Sequence, residues 1–154
     1  MAHLIPASLN KVVLINNNLN DESVAALFNS LANLLNGPKV LAIDQNSLDF
    51  RTLEPICNFL QSDAATGLKQ FIIKDPVSNS LNKRQNIECI TNHLSTHGHL
   101  MFRLKELVLQ RIGMTKIDIM NLCKFLRSVG SLKVLNLAAN GLTAHDLIPM
   151  FETL

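Results

Sequence analysis

Apolar side chains near the end of the chain fall in a fixed order: Leu132, Leu135 and Leu137, then Asn140 and Leu142, then Leu147, Met150, Phe151 and Leu154. The same offsets recover Leu9, Val12, Leu14, Asn17, Leu19, Val24, Leu27, Phe28 and Leu31. They also recover Pro38, Leu41, Ile43, Asn46, Leu48, Leu53, Ile56, Cys57 and Leu60. A further copy runs Leu104, Leu107, Leu109, Ile112, Met114, Ile119, Leu122, Cys123 and Leu126. Between these lies an irregular copy with Leu68, Phe71, Ile73 and Pro76, followed by Ile87, Ile90 and Leu94 after extra residues within 77–85. The copies start at 9, 38, 68, 104 and 132.

Each copy divides into two halves with different periods. Val12-Val13-Leu14 and Leu135-Asn136-Leu137 alternate with period two, which predicts a strand. Val24, Leu27, Phe28 and Leu31 follow the i, i+3, i+4, i+7 spacing of one helix face. Ahead of the helices one column reads Ser23, Thr52, Asn86, Asp118 and Asp146, residue types whose side-chain oxygens cap a first turn. Pro55 and Pro149 share a later column and are expected in the first turn, where a missing N–H costs little. Gly37 and Gly130 follow helices and are expected as left-handed caps. A strand and helix repeated every 28 to 30 residues, except across the long third copy, can bury its apolar edge only by stacking on further copies.

The columns spell LxxLxLxxN followed by a helix, and in this the chain resembles leucine-rich repeats of the ribonuclease-inhibitor type, from about Leu9 to Leu154. The resemblance implies an α/β fold: a leucine-rich-repeat solenoid, a right-handed horseshoe arc of about five repeats with a concave parallel sheet and convex helices. One domain is expected over 1–154, with repeats at about 9–37, 38–67, 68–103, 104–131 and 132–154. The asparagine of such repeats satisfies backbone groups in the turn after the strand. Pro76 and Ile112 stand in its place in the third and fourth copies, which puts the turn geometry there in question.

Composition narrows the setting. The chain has 154 residues, 47% of them hydrophobic and 17% charged, enough for a sizeable core. A net charge of +2, with 14 Lys and Arg scattered singly and no Trp or Tyr, does not suggest a nucleic-acid partner. No apolar run approaches the ~20 residues of a membrane span, and Met1–Pro6 lacks the features of a secretory signal. Cys57, Cys89 and Cys123 form no CxxC pair and read as free, buried thiols in a reducing, cytoplasmic setting.

Chemistry is sparse. No nucleophile elbow, phosphate loop, HExxH or calcium loop occurs, so no catalytic residue, cofactor or metal is assigned and the chain is expected not to be an enzyme. The nearest candidate cluster is His93, His97 and His99, of which His93 and His97 are i, i+4 neighbours whose imidazoles can reach one zinc; a helix-end histidine also interacts favourably with the local carbonyls without a metal. Cys57 and Cys123 occupy a core column as small apolar fillers, and Cys89 stands two places earlier in its own copy. Asp44, Asp75 and Glu106 near the strands are expected to be solvated on an open sheet.

The residues between core positions define an outward sheet face. Its middle row is Val13, Ala42, Ile72, Val108 and Asn136. The row before is Lys11, Val40, Gln70, Glu106 and Val134, and the row after is Ile15, Asp44, Lys74, Gln110 and Ala138. An apolar stripe with charged flanks is how protein-partner sites are built, although β-branched residues also suit a strand for its own sake. The expectation is therefore a protein-interaction module that uses this face together with a third-copy loop carrying Asn79, Lys83 and Arg84. Repeat proteins of this kind also include regulators of small GTPases or other enzymes, and bacterial effectors that act on host proteins in the host-cell cytosol. Without polar capping units the chain is expected either to be a piece of a longer protein, the slightly favoured reading, or to self-associate through its ends.

Overall fold

The computed structural model describes residues 9–17, 19–44, 50–74 and 83–154. Among the described residues, five strands alternate with five helices: β1 (Lys11–Ile15), α1 (Asp21–Ala32), β2 (Val40–Asp44), α2 (Phe50–Gln61), β3 (Gln70–Lys74), α3 (Lys83–His97), β4 (Glu106–Gln110), α4 (Lys116–Ser128), β5 (Val134–Asn136) and α5 (Ala144–Phe151). The strands form one parallel sheet in chain order, β1-β2-β3-β4-β5. Parallel neighbours need a long crossover, and each helix between two strands supplies one. Consecutive helices pack on each other, α1 on α2 through to α4 on α5. The mixed α/β arrangement follows the alternation of periods in the sequence.

The register is strict. Lys11, Val40, Gln70, Glu106 and Val134 stand opposite one another, as do Val13, Ala42, Ile72, Val108 and Asn136. Between these rows lie Leu41, Ile43, Phe71, Ile73, Leu107 and Leu109, all buried against the helices. A one-residue slip would exchange the two sets, so the apolar columns fix the register. Val24, Phe28 and Leu31 of α1, Ile56, Phe59 and Leu60 of α2, Ile87, Ile90 and Leu94 of α3, and Ile119, Leu122 and Phe125 of α4 join the same core. Each such side chain contributes about 1.5–3 kcal/mol by leaving water. Phe28 and Phe59 meet edge to face with centroids 5.8 Å apart, a favoured aromatic geometry.

The helices begin one turn earlier than their polar column suggests. Asn20, Thr115 and Thr143 are the N-caps. Asp118 and Asp146 stand three residues on, where each carboxylate accepts a hydrogen bond from the cap backbone, as in a capping box. Ser23 occupies the same inner position, its N–H donating to Asn20 Oδ1 at 2.9 Å. Thr52 and Asn86 lie within α2 and α3, not ahead of them. The earlier start also moves Pro55 and Pro149 into the second turn of their helices, where each removes one i→i−4 bond.

Neither Gly37 nor Gly130 is left-handed; the positive-φ glycines are Gly113 and Gly141. Gly37 answers a different need, since a Cβ there would lie 2.2 Å from the Ala64 carbonyl oxygen. Among the described residues, the turns after β1, β4 and β5 share one left-handed column, Asn16 (φ 50°), Arg111 (φ 54°) and Ala139 (φ 58°). The fourth turn thus keeps the common geometry despite Ile112. Asn140 of the next copy closes it, accepting from Ile112 N at 2.8 Å and Gly113 N at 3.2 Å. The same side chain donates to the carbonyls of Leu109 at 2.7 Å and Leu137 at 2.8 Å. Asn46 and Pro76 lie outside the described residues.

Candidate protein-interaction surface

The three outward rows are assembled as the register requires, but their exposure is uneven. Val13 is 40% exposed, and Ile15 at the end of β1 and Val134 on the edge strand are also well exposed. Val40, Ile72 and Asn136 are half-buried, whereas Ala42 and Val108 are buried, Val108 at only 3% exposure. The expected continuous apolar stripe is therefore interrupted. In an in-register row an interior side chain is flanked on both sides, while a residue at the row's edge keeps one open flank.

One polar pair bridges neighbouring strands on this face. Gln70 Nε2 donates to Glu106 Oε2 at 2.7 Å, so Glu106 is a half-buried group hydrogen-bonded across neighbouring strands, not a freely solvated one. Asp44, Lys74 and Gln110 are half-buried at the far end of the strands. Asp75 and Asn79 lie outside the described residues. Lys83 and Arg84 belong to the first turn of α3 and not to a loop; the run Lys83-Arg84-Gln85 consists of strong helix formers, which favours this earlier start.

The near end of the strands carries a feature that the apolar columns concealed. Lys39, Lys69, Lys105 and Lys133 fill one column, all exposed. Lys39 N–H donates to the Asn10 carbonyl at 2.8 Å, and those of Lys69, Lys105 and Lys133 donate to the preceding lysine's carbonyl at 2.7, 2.8 and 2.8 Å. Four of the scattered cations thus form a row along one rim, spaced by roughly the 4.8 Å of adjacent strands. Aligning the copies one residue before each strand would have revealed it.

The last unit leaves core positions open. Leu107, Leu109 and Ile119 are fully buried, but their counterparts Leu135, Leu137 and Leu147 are half-exposed. With Leu142, Met150 and Phe151 they line an apolar cleft of about 600 Å³.

Other candidate chemistry is rearranged. His93 and His97 stack with centroids 4.5 Å apart. His93 is buried, its Nδ1 facing Gln61 Nε2 at 3.3 Å, and His97 Nδ1 meets Thr96 Oγ1. Among the described residues no group of three His, Cys, Asp or Glu side chains could hold a metal ion, and no helix is long and apolar enough to cross a membrane. Burial, and then the neighbouring His97, lowers the His93 pKa to about 4. The unfolded chain therefore binds this proton from about pH 6.5 downward while the folded chain resists it until about pH 4, so acidification through that window destabilises the fold. The expected loss is about 1–2 kcal/mol, solvent screening having reduced the full linkage value. Denaturant midpoints measured from pH 7 to 4 should fall, and His93→Leu should flatten that decline.

Cys57 and Cys123 are buried as core fillers, but Cys89 is exposed because it stands on a different face of its helix. Its Sγ lies 3.9 Å from Cys57 Sγ across α2 and α3. The irregular spacing of the third copy hid this neighbour relation. Asp118 is the other surprise: beyond its capping role it is buried and accepts from Thr91 Oγ1 at 2.8 Å. Searches against protein-family models and curated proteins find no match for this chain.

Proposed function

We propose that the chain is a protein-interaction module of leucine-rich-repeat architecture, a solenoid arc that receives its partner on a concave sheet. The carrying observation is the outward face itself, with exposed Val13, Ile15 and Val134 around half-buried Ile72 and Val40. Apolar contact area with a polar rim is the usual composition of a partner site. The row Lys39, Lys69, Lys105 and Lys133 adds a preference for a partner bearing acidic residues beside its apolar anchors, since aligned like charges favour an opposite potential. The lack of Trp and Tyr in this chain assigns the aromatic anchors to the partner.

Affinity capture from cell extract, followed by mass-spectrometric identification, tests this reading. Joint replacement Val13→Arg and Ile15→Arg should abolish capture while leaving the circular-dichroism spectrum unchanged, because both positions are exposed. Val108→Arg is unsuitable, as a guanidinium at that buried position would disturb the fold. Capture should also weaken as salt is raised. Undiminished capture by the doubly substituted chain would overturn the assignment of this face.

A further inference from the structure

We propose that Cys57 and Cys89 form a peroxide-oxidisable pair that closes to a reversible disulfide joining α2 to α3. The two Sγ atoms are 3.9 Å apart, on helices that pack side by side. A disulfide requires about 2.05 Å, so closure takes a rotation of the two side chains and a small approach of the helices. The pair is asymmetric in access: Cys89 is exposed and Cys57 is buried. Cys123 is buried on α4, outside the pair.

The asymmetry sets the order of events. Burial, then the charge and hydrogen bond of Cys89, then Glu54 push the Cys57 thiol up to about 12, so Cys57 remains protonated near neutrality and is a poor first nucleophile. The Cys89 thiolate attacks a peroxide, whose O–O bond breaks. Sulfur is oxidised to sulfenic acid, and the other oxygen leaves as hydroxide and takes up a proton. Conversion of the Cys89 thiolate to sulfenic acid takes away the thiolate charge facing Cys57, while burial, the larger cause of the raised Cys57 value, persists. Cys57 sulfur then attacks Cys89 sulfur; the S–S bond forms, the S–O bond breaks, and the Cys57 proton leaves with the hydroxyl as water. With hydrogen peroxide the balance is two thiols and one H2O2 giving one disulfide and two waters. A dithiol such as dithiothreitol or reduced thioredoxin returns both thiols.

The test treats the full, reduced chain with increasing hydrogen peroxide and then alkylates it under denaturing conditions for intact-mass and peptide analysis. The expected product is a monomer that has lost two hydrogens. Its peptides bearing Cys57 and Cys89 are joined, and Cys123 is alkylated. Dithiothreitol should reverse the change. Cys89→Ser should abolish the crosslink and Cys123→Ser should leave it intact. Cys57→Ser should strand Cys89 as sulfenic acid, with several-fold more dimedone adduct than the unsubstituted chain. The oxidised chain should melt about 5 °C or more above the reduced one. Over-oxidation of Cys89 to sulfinic acid while Cys57 stays alkylatable would overturn the proposal, as would disulfides formed only between chains.

Discussion

Asp118→Ala is expected to lower the stability of the chain by about 3–5 kcal/mol, read from urea or thermal unfolding. The carboxylate is buried and fully engaged. One oxygen accepts from Thr91 Oγ1 at 2.8 Å, and the other accepts from Thr115 N at 2.7 Å and Thr115 Oγ1 at 2.8 Å. Asn121 Nδ2 extends the cluster to Thr91 Oγ1 at 3.4 Å. Alanine would leave the hydroxyl of fully buried Thr91 only the longer bond to the Glu88 carbonyl at 3.3 Å to donate, and the Thr115 N–H without its acceptor, and desolvated donors are costly. Asp146→Ala is the matched control. It holds the same capping-box position on α5 but lacks burial and the cross-helix bond, and should cost markedly less. Equal losses for the two would show that burial and the Thr91 contact contribute nothing.

Gly37→Ala is expected to cost about 3 kcal/mol, the upper range for forcing an extra carbon into a packed site. The added Cβ would meet three atoms of Ala64, at 2.2 Å from O, 2.7 Å from C and 2.9 Å from Cβ. Two of these are backbone, and Ala64 is itself buried in the short 3-10 turn Asp63–Gly67, so no side-chain rotation relieves the clash. Gly130→Ala supplies the contrast. A Cβ added there would meet nothing within 4 Å, and its φ is not positive. The substitution should therefore stabilise by about 0.4–1 kcal/mol through the reduced freedom of the unfolded chain. Urea midpoints of the two variants, measured side by side, should move in opposite directions. Equal tolerance at both sites would mean that the approach of Gly37 to Ala64 is not maintained in solution.

These outcomes bear on what the sequence discloses. The strand columns and their register were legible because period two leaves only one way to bury Leu41, Ile43, Phe71, Ile73, Leu107 and Leu109 together. The helix starts were legible only to within a turn. A capping box places oxygen-bearing side chains at both its cap and its inner position, and the apolar spacing does not distinguish Thr115 from Asp118. Glycine types alone concealed their reasons, since the need at Gly37 arises from a residue 27 positions away. The burial of Val108 depends on what flanks it in the row, a sum over neighbouring strands that no single copy contains. The exposure of Cys89 beside Cys57 and the lysine row were hidden for a simpler reason: both lie outside the apolar columns that carried the alignment.

The side chain of Asn140 gives the chain a direction of dependence. It accepts from two backbone N–H groups and donates to two carbonyls across the fourth and fifth turns, so the loop that follows β4 is completed by a residue supplied only after β5. Ile112 gains freedom to serve the core because that duty has been handed onward. The units are consequently not interchangeable modules: a circular reordering, or a graft that ended with the fourth copy, would inherit a loop whose keystone belongs to its successor.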